Sequence, residues 1–346
     1  MHGGGAGRPV PRGRRRGLCR RYHVGGGGRH RRCAGRHRKE PAVNELLQEA
    51  LTAFGLHGAE FIQQHENAVY RADGQYLLRI HRAAEGLQID HDPDKRRAEL
   101  AFLRHLADKG LPVQRPIAEA TLSGGTMATL LTWLEGHRIT EAEFTTGLQH
   151  EIGGMVARLH QAAADFRHRA LRRYDAAHAL EQADAIRHMG ERYHLNSDEI
   201  DAAHQAALVI ADRLNRASGG FISIHCDLSQ SNILLTEAGP APIDFSLCGL
   251  GHPMHDLSVL LGNTSTQAQR NAFAEGYTNA DGQIDLPLLD AGLALGLLEA
   301  LVIHADSWPK EDWFAPRLTR WADEMLRPLA EGKPLLDENM YLINLK

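Results

Sequence analysis

The chain has 346 residues, 43% hydrophobic and 24% charged, a globular balance with apolar mass for about two domains or one large two-lobed unit. No stretch approaches the ~20 continuous apolar residues of a spanning helix, which speaks against a membrane protein. Four scattered cysteines, Cys19, Cys33, Cys226 and Cys248, exclude a disulfide-stapled scaffold and suit a reducing, cytoplasmic setting.

The net charge of −4 is uneven: the first 40 residues hold 13 of the 39 basic side chains against one acid, Glu40, leaving −16 on the remainder. Residues 1–41, rich in Arg and Gly and poor in aliphatic side chains, cannot bury enough apolar area to order themselves and are expected to be a disordered tail. A solvated tail without a role is the favoured reading, an upstream stretch from a mis-assigned start being one form of it. Contact with nucleic acid through its cations is a less favoured one. It lacks the apolar core of a secretory signal, and Cys19, His30, Cys33 and His37 fit no familiar zinc spacing.

Helical spacing of Leu46, Leu47, Ala50, Leu51 and Phe54 predicts a first helix from Val43, stopped by Gly55. Three strands follow, over Ala59–Gln63, Ala68–Ala72 and Tyr76–Ile80, with Asp73-Gly74 as a two-residue hairpin turn. A helix over Asp94–Lys109 precedes two more strands, Ile117–Leu122 and Met127–Trp133. The composition then turns helical: Glu141–Ala163, Leu171–Tyr193 and Ser197–Arg216. Short strands at Phe221–Ile224, Ile233–Leu235 and Ala241–Asp244 lead to helices near Asp256–Leu261, Thr266–Tyr277, Leu286–His304 and Asp312–Leu326, with Pro328 just past the last. A strand-rich part over residues 42–133 and a helical part over 134–346 predict two lobes with a cleft between them.

Chemistry concentrates in Ile222-Ser-Ile-His225-Cys-Asp227-Leu-Ser-Gln-Ser-Asn232-Ile-Leu-Leu and in Pro242-Ile-Asp244-Phe-Ser246. Ends of neighbouring strands in one small sheet would bring Asp227, Asn232 and Asp244 to one edge. Two carboxylates and an amide oxygen are hard donors suited to Mg²⁺. Asn232 and Asp244 would hold Mg²⁺ on a nucleotide's phosphates while Asp227 receives a hydroxyl proton. Each residue alone is more commonly a cap or turn former; the joint H-x-D-x-x-x-x-N pattern followed by D-F is far more specific. Gly153-Gly154, inside a helical pattern, is read as a close-packing device. No G-x-x-x-x-G-K-[ST] is present, which argues against a P-loop site.

With these motifs the chain resembles the aminoglycoside phosphotransferase/choline kinase family, over about residues 42–330. The resemblance implies an α+β, two-lobed protein-kinase-like fold, with a small antiparallel-sheet N-lobe and a larger helical C-lobe. It implies an ATP- and Mg²⁺-dependent phosphotransferase whose acceptor is a hydroxyl of a small molecule, such as an amino alcohol, an aminoglycoside, homoserine or a sugar. By that resemblance Asp227 is the catalytic base, Asn232 and Asp244 are metal ligands, His225 braces the loop and Asp256 anchors it. Arg79 stands where the family has a phosphate-binding Lys or Arg, with Glu99 as its ion-pair partner; His81 and Arg82 compete with Arg79 for that role. Gln64-His65-Glu66-Asn67 matches the phosphate-covering turn but has no glycine, so that Asn67 would contribute its side chain. Leu130-Leu-Thr132-Trp133-Leu134-Glu135-Gly136 resembles the hinge, whose backbone at Thr132 and Leu134 would bond the adenine; Trp133 either packs or stacks. Cys226 and Ser229 stand where the family often has Gly and His.

Two alternatives share the fold. A Ser/Thr protein kinase is disfavoured by the absence of A-P-E and by the 11 residues between Asp244 and Asp256, too few for an activation loop. A non-catalytic nucleotide-binding module is the other. Trp308, Trp313 and Trp321 are candidates for acceptor contacts. Oligomeric state is not legible in the sequence.

Overall fold

The computed structural model describes residues 43–82, 87–88, 92–217, 220–262, 264 and 266–336; the Arg/Gly-rich tail expected over residues 1–41 lies outside them. The first part contains α1 (Val43–Phe54), β1 (Ala59–Gln64), β2 (Ala68–Ala72), β3 (Tyr76–Ile80), α2 (Pro93–Asp108), β4 (Pro116–Thr121) and β5 (Met127–Thr132). Its strands form one antiparallel sheet in the order β1-β2-β3-β5-β4. Asp73 and Gly74 both have positive φ, 45° and 74°, as a tight two-residue hairpin needs.

Strand alternation decides what each face of this sheet meets. Tyr70, Leu78 and Ile80 join Leu46, Ala50 and Leu51 of α1 in one core. Their neighbours Val69 and Leu77 instead join Phe102, Leu103 and Leu106 of α2 in the main core. Arg79, two residues on from Leu77, therefore projects to the α2 side. The α2 helix starts sharply because the Asp92 carboxylate accepts the Asp94 N–H (2.8 Å) and Pro93 occupies the first turn.

The second part comprises β6 (His137–Arg138), α3 (Thr146–Ala163), β7 (Arg172–Tyr174), α4 (Ala176–Tyr193), α5 (Ser197–Arg216), β8 (Ile222–Ile224), β9 (Ile233–Thr236), β10 (Gly239–Pro242) and β11 (Gly249–Gly251). It continues with α6 (Met254–Gly262), α7 (Gln267–Asn279), α8 (Leu286–Ile303), α9 (Phe314–Trp321) and α10 (Arg327–Ala330).

Several expectations change here. The helix expected over Leu171–Tyr193 begins only at Ala176, where the Asp175 side chain accepts the His178 N–H (3.2 Å). Arg172–Tyr174 is drawn into parallel pairing with β11, a tertiary contact that overrides local periodicity. The one small sheet expected to carry Asp227, Asn232 and Asp244 is two three-stranded sheets, β10-β9-β6 and β7-β11-β8. Their third members, β6 and β11, are too short to show a period. Pro328 lies inside a continuous helical run, because the chain passes from α9 through a π-turn at Ala322–Leu326 into α10; the π-turn shifts the hydrogen-bond register just ahead of the proline, the kind of irregularity at which helices accommodate one. Finally, α8 meets the length and composition of a spanning helix, with mean hydropathy 2.0. It is nonetheless the central core helix, with Leu289, Ala294 and Leu298 fully buried.

Glycines let α3 and α7 nest. A Cβ on Gly276 would lie 1.9 Å from His150 O, and one on Gly153 would lie 2.1 Å from Phe273 O, so Gly153 serves packing. Gly276→Ala should lower the urea unfolding free energy by about 1–3 kcal/mol or more, the cost of overpacking a tight contact. Gly58→Ala, which meets nothing within 4 Å, is the control; equal midpoints for the two variants would refute the close approach.

Candidate active site

The loop after β8 is held from beneath by Asp256, in the first turn of α6 and without exposed surface. Its carboxylate accepts the backbone N–H of His225 (3.0 Å) and of Cys226 (2.6 Å), and His160 Nε2 lies 3.1 Å away. Burial pushes the Asp256 pKa up, but the His160 hydrogen bond and the neighbouring histidines outweigh it, and the group titrates below its ordinary value. The His225 Nε2–H donates to Ile243 O (2.9 Å), while Nδ1 accepts the Asp227 N–H (3.3 Å). That is the neutral imidazole, consistent with burial pushing its pKa down. Cys226 and Asp244 adopt φ of +71° and +61°, a region that side chains other than Asn and Asp seldom enter.

These constraints bring the three predicted oxygen donors together, although from two sheets. Asn232 Nδ2 donates to both Asp227 O and Asp227 Oδ2 at 2.8 Å, which leaves the Asn232 amide oxygen unspent. Ser246 Oγ donates to Asp244 Oδ1 (2.5 Å). The Asp227 pKa is pushed up to about 7 by burial and by the nearby charge of Asp244. An amide oxygen and a carboxylate with hard oxygens on one rim fit a Mg²⁺ ion.

Arg79 reaches the same place from β3. Its Nη2 donates to Glu99 Oε1 (2.6 Å), Glu99 Oε2 is held by Arg96 (3.1 Å), and Arg79 Nη1 stands 3.7 Å from Asp244 Oδ1. That last contact is longer than a hydrogen bond, and Arg79 Nε has no hydrogen-bond partner. The guanidinium thus keeps donors on the site side while burial, at 3% exposure, and Glu99 fix its position.

The turn over residues 64–67, expected from the resemblance to cover phosphates, is built differently. Both ends of the Asn67 amide are engaged: Oδ1 with His81 Nδ1 (2.8 Å) and Nδ2 with Ser246 Oγ (3.0 Å). Asn67 is 3% exposed and acts as a strut between β2 and the Asp244 loop rather than as an open phosphate donor. His81, held also by Thr129 (3.1 Å), belongs to this strut. The residue that sequence reasoning passed over is Glu66. It is 8% exposed, its Oε2 has no hydrogen-bond partner, and burial together with Asp244 and Asp227 pushes its pKa up to about 8. Only its place in the turn hinted at it.

At the hinge, the Thr132 N–H donates to Arg115 O (2.9 Å) and the Trp133 N–H to Gln75 O (3.0 Å). The Thr132 N–H is therefore already spent, whereas Leu134 N–H has no backbone partner among the described residues. Arg71 covers the Trp133 ring at 4.5 Å, so Trp133 packs. A cavity of about 400 Å³ opens beside Asp227, lined by Glu66, Glu299, His304, Trp308 and Trp321. Trp313 borders a different depression.

A family model for the phosphotransferase enzyme family APH matches residues 58–294. The chain belongs to that family. Among curated proteins it is similar to the homoserine kinase of Burkholderia ambifaria, 29% identical over 206 residues, and spans 58% of that relative's length. It is similar to the amicoumacin kinase of Bacillus subtilis, 25% identical over 236 residues, with 63% of this chain and 67% of that relative covered. Two solved structures share the fold. Amicoumacin kinase hAmiN in complex with AMP-PNP, Ca²⁺ and Ami gives a TM-score of 0.64 at 18% identity, over 85% of this chain and 94% of that one. The gentamicin complex of APH(2'')-IIa gives 0.61 at 13% identity, over 84% and 99%. The architecture of this phosphotransferase-family chain is accordingly protein-kinase-like.

Glu66 makes the stability of the metal-free protein depend on pH with a definite sign. An unfolded Glu releases its proton near 4.3, while the folded one holds it to about 8, so its protonation stabilises the fold at low pH and that contribution is lost as pH rises through about 8. Glu66→Gln should match the parent near pH 5 and exceed it near pH 9 by at least about 1.4 kcal/mol, one pKa unit's worth. Thermal melts giving the same gap at both pH values would remove the buried acid.

Proposed function

We propose that the protein moves the γ-phosphoryl group of ATP, with Mg²⁺, to a hydroxyl of a small amine-bearing molecule. The observation that carries this reading is the convergence of Asp227, hydrogen-bonded to Asn232 at 2.8 Å, with Asp244 and the buried Arg79, 3.7 Å from it. Asp227 accepts the acceptor's hydroxyl proton on its carboxylate, Asn232 orienting that group through Oδ2. A base whose pKa lies near the working pH combines an available ionised form with useful proton affinity. Asn232 and Asp244 would hold Mg²⁺, which when bound offsets negative charge on the phosphates. Arg79, steadied by Glu99, donates its remaining N–H groups to phosphate oxygens, and Leu134 offers its backbone N–H to the adenine edge. Transfer passes through a loose transition state, so positioning and electrostatics supply most of the rate.

Support for an amine on the acceptor comes from the cavity beside Asp227. The Glu299 carboxylate, the Glu66 acid and indole faces (Trp308, Trp321) line it, with Trp308 stacked on His304 at 4.2 Å. Acid and π-faces together favour an ammonium group. The net −16 of residues 41–346 would steer cations inward. Relatives named for homoserine and for amicoumacin, and a structural neighbour holding AMP-PNP, agree with the nucleotide and the small acceptor.

Screening amino alcohols, homoserine and aminoglycosides for ADP release tests the reaction. With an accepted substrate, Asp227→Ala should lower turnover about 10²–10⁴-fold with nucleotide binding retained; unchanged turnover would remove Asp227 from the chemistry. Because the free carboxyl titrates at about 7, kcat/KM should rise with pH through that region as the base ionises. A flat profile between pH 5.5 and 8.5 would contradict the assignment.

A further inference from the structure

We propose that Cys226, His255 and Glu299 form a site for a borderline-soft divalent cation such as Zn²⁺, a donor set distinct from the oxygens of Asn232 and Asp244. A sulfur, a ring nitrogen and a carboxylate oxygen of these residues all lie within 4.8 Å of one another. Zinc bonds of about 2.0–2.3 Å set tetrahedral donors roughly 3–4 Å apart, so modest side-chain shifts close the set. Cys226 and His255 are 5% and 4% exposed. His255 Nε2 lies 3.1 Å from Glu299 Oε2 as an ion pair, and neither buried ring nitrogen has a well-directed hydrogen bond, a condition interiors rarely retain.

The surroundings are those of a ligand set. Glu299 Oε1 accepts His178 Nε2–H (2.9 Å), which orients the carboxylate and turns Oε2 toward His255, as outer partners do around bound metals. The Cys226 backbone is fixed by its N–H on Asp256 (2.6 Å). A thiol is kept at φ +71°, a conformation in which glycine would be at ease. Strain retained at one side chain points to a role for that side chain. Cys226 and Glu299 line both the cavity beside Asp227 and a second one of about 610 Å³, so an ion has an entry path and room for a water as fourth ligand. Sulfur and imidazole select zinc over magnesium, whereas Asn232 and Asp244 do the reverse. An occupied site would tie together the loop after β8, α6 and α8.

The test is Co²⁺ titration of the metal-stripped full-length protein without nucleotide. One equivalent should give the near-ultraviolet thiolate charge-transfer band and the visible bands of tetrahedral Co²⁺. Cys226→Gly, which suits the backbone and should fold, should lose the charge-transfer band. His178→Gln should weaken Co²⁺ binding about 10–100-fold, as loss of an outer partner does. Zn²⁺ should raise the Tm of the parent but not of Cys226→Gly. No thiolate band, or one that persists in Cys226→Gly and so arises at Cys19, Cys33 or Cys248, overturns the proposal. These readouts are independent of kinase activity, so failure here leaves the phosphotransferase reading untouched.

Discussion

Asp256 is the constraint on which the site depends. A carboxylate without exposed surface is costly unless its oxygens are bonded, and here two successive backbone N–H groups and His160 provide those bonds. In return the carboxylate fixes the loop at the residue with positive φ, Cys226, and so sets the direction in which Asp227 leaves the strand. His225 extends the hold sideways by bridging Ile243 O and the Asp227 N–H. Thus one buried anion aligns both the segment carrying Asp227 and the segment entering Asp244.

Charge across the cleft is arranged in two layers. Glu99 sits between Arg79 and Arg96, a buried group of three whose Arg79 guanidinium also faces Asp244. In front of it, Glu66, Asp227 and Asp244 crowd together, and both Glu66 and Asp227 hold protons to unusually high pH. Such crowding in a low-dielectric setting is unfavourable until a cation or a proton arrives. The arrangement therefore favours positive charge beside these three acids.

The sequence disclosed much of this for physical reasons that can be named. The pairing of Arg79 with Glu99 rests on the family resemblance, and the structure supplies its physical basis: alternation along β3 turns Arg79 toward α2, whose buried face carries Glu99. The spacing of Asp227 and Asn232 is local, so their contact was legible. The pairing of β8 with β11, and of β9 with β6, was not, because two- and three-residue strands carry no period and exist only through their partners. Glu66 was hidden for a similar reason: a loop acid reads as solvated, and only the tertiary position of the turn buries it. Asn67, expected to offer its side chain to phosphate, instead has its amide engaged by His81 and Ser246, partners distant in sequence.

The short link between β5 and β6 has a mechanical consequence. Thr132 and Trp133 are pinned to Arg115 and Gln75, while His137 and Arg138 already pair with Leu235 and Leu234 of β9, and a Cβ on Gly136 would stand 2.9 Å from Leu235 O. The chain between these two anchorages, Leu134 to Gly136, is the fulcrum. Any rotation about these three residues would be carried along the sheet to Arg79, so the stiffness of this link bears on how closely its guanidinium stands to Asp244.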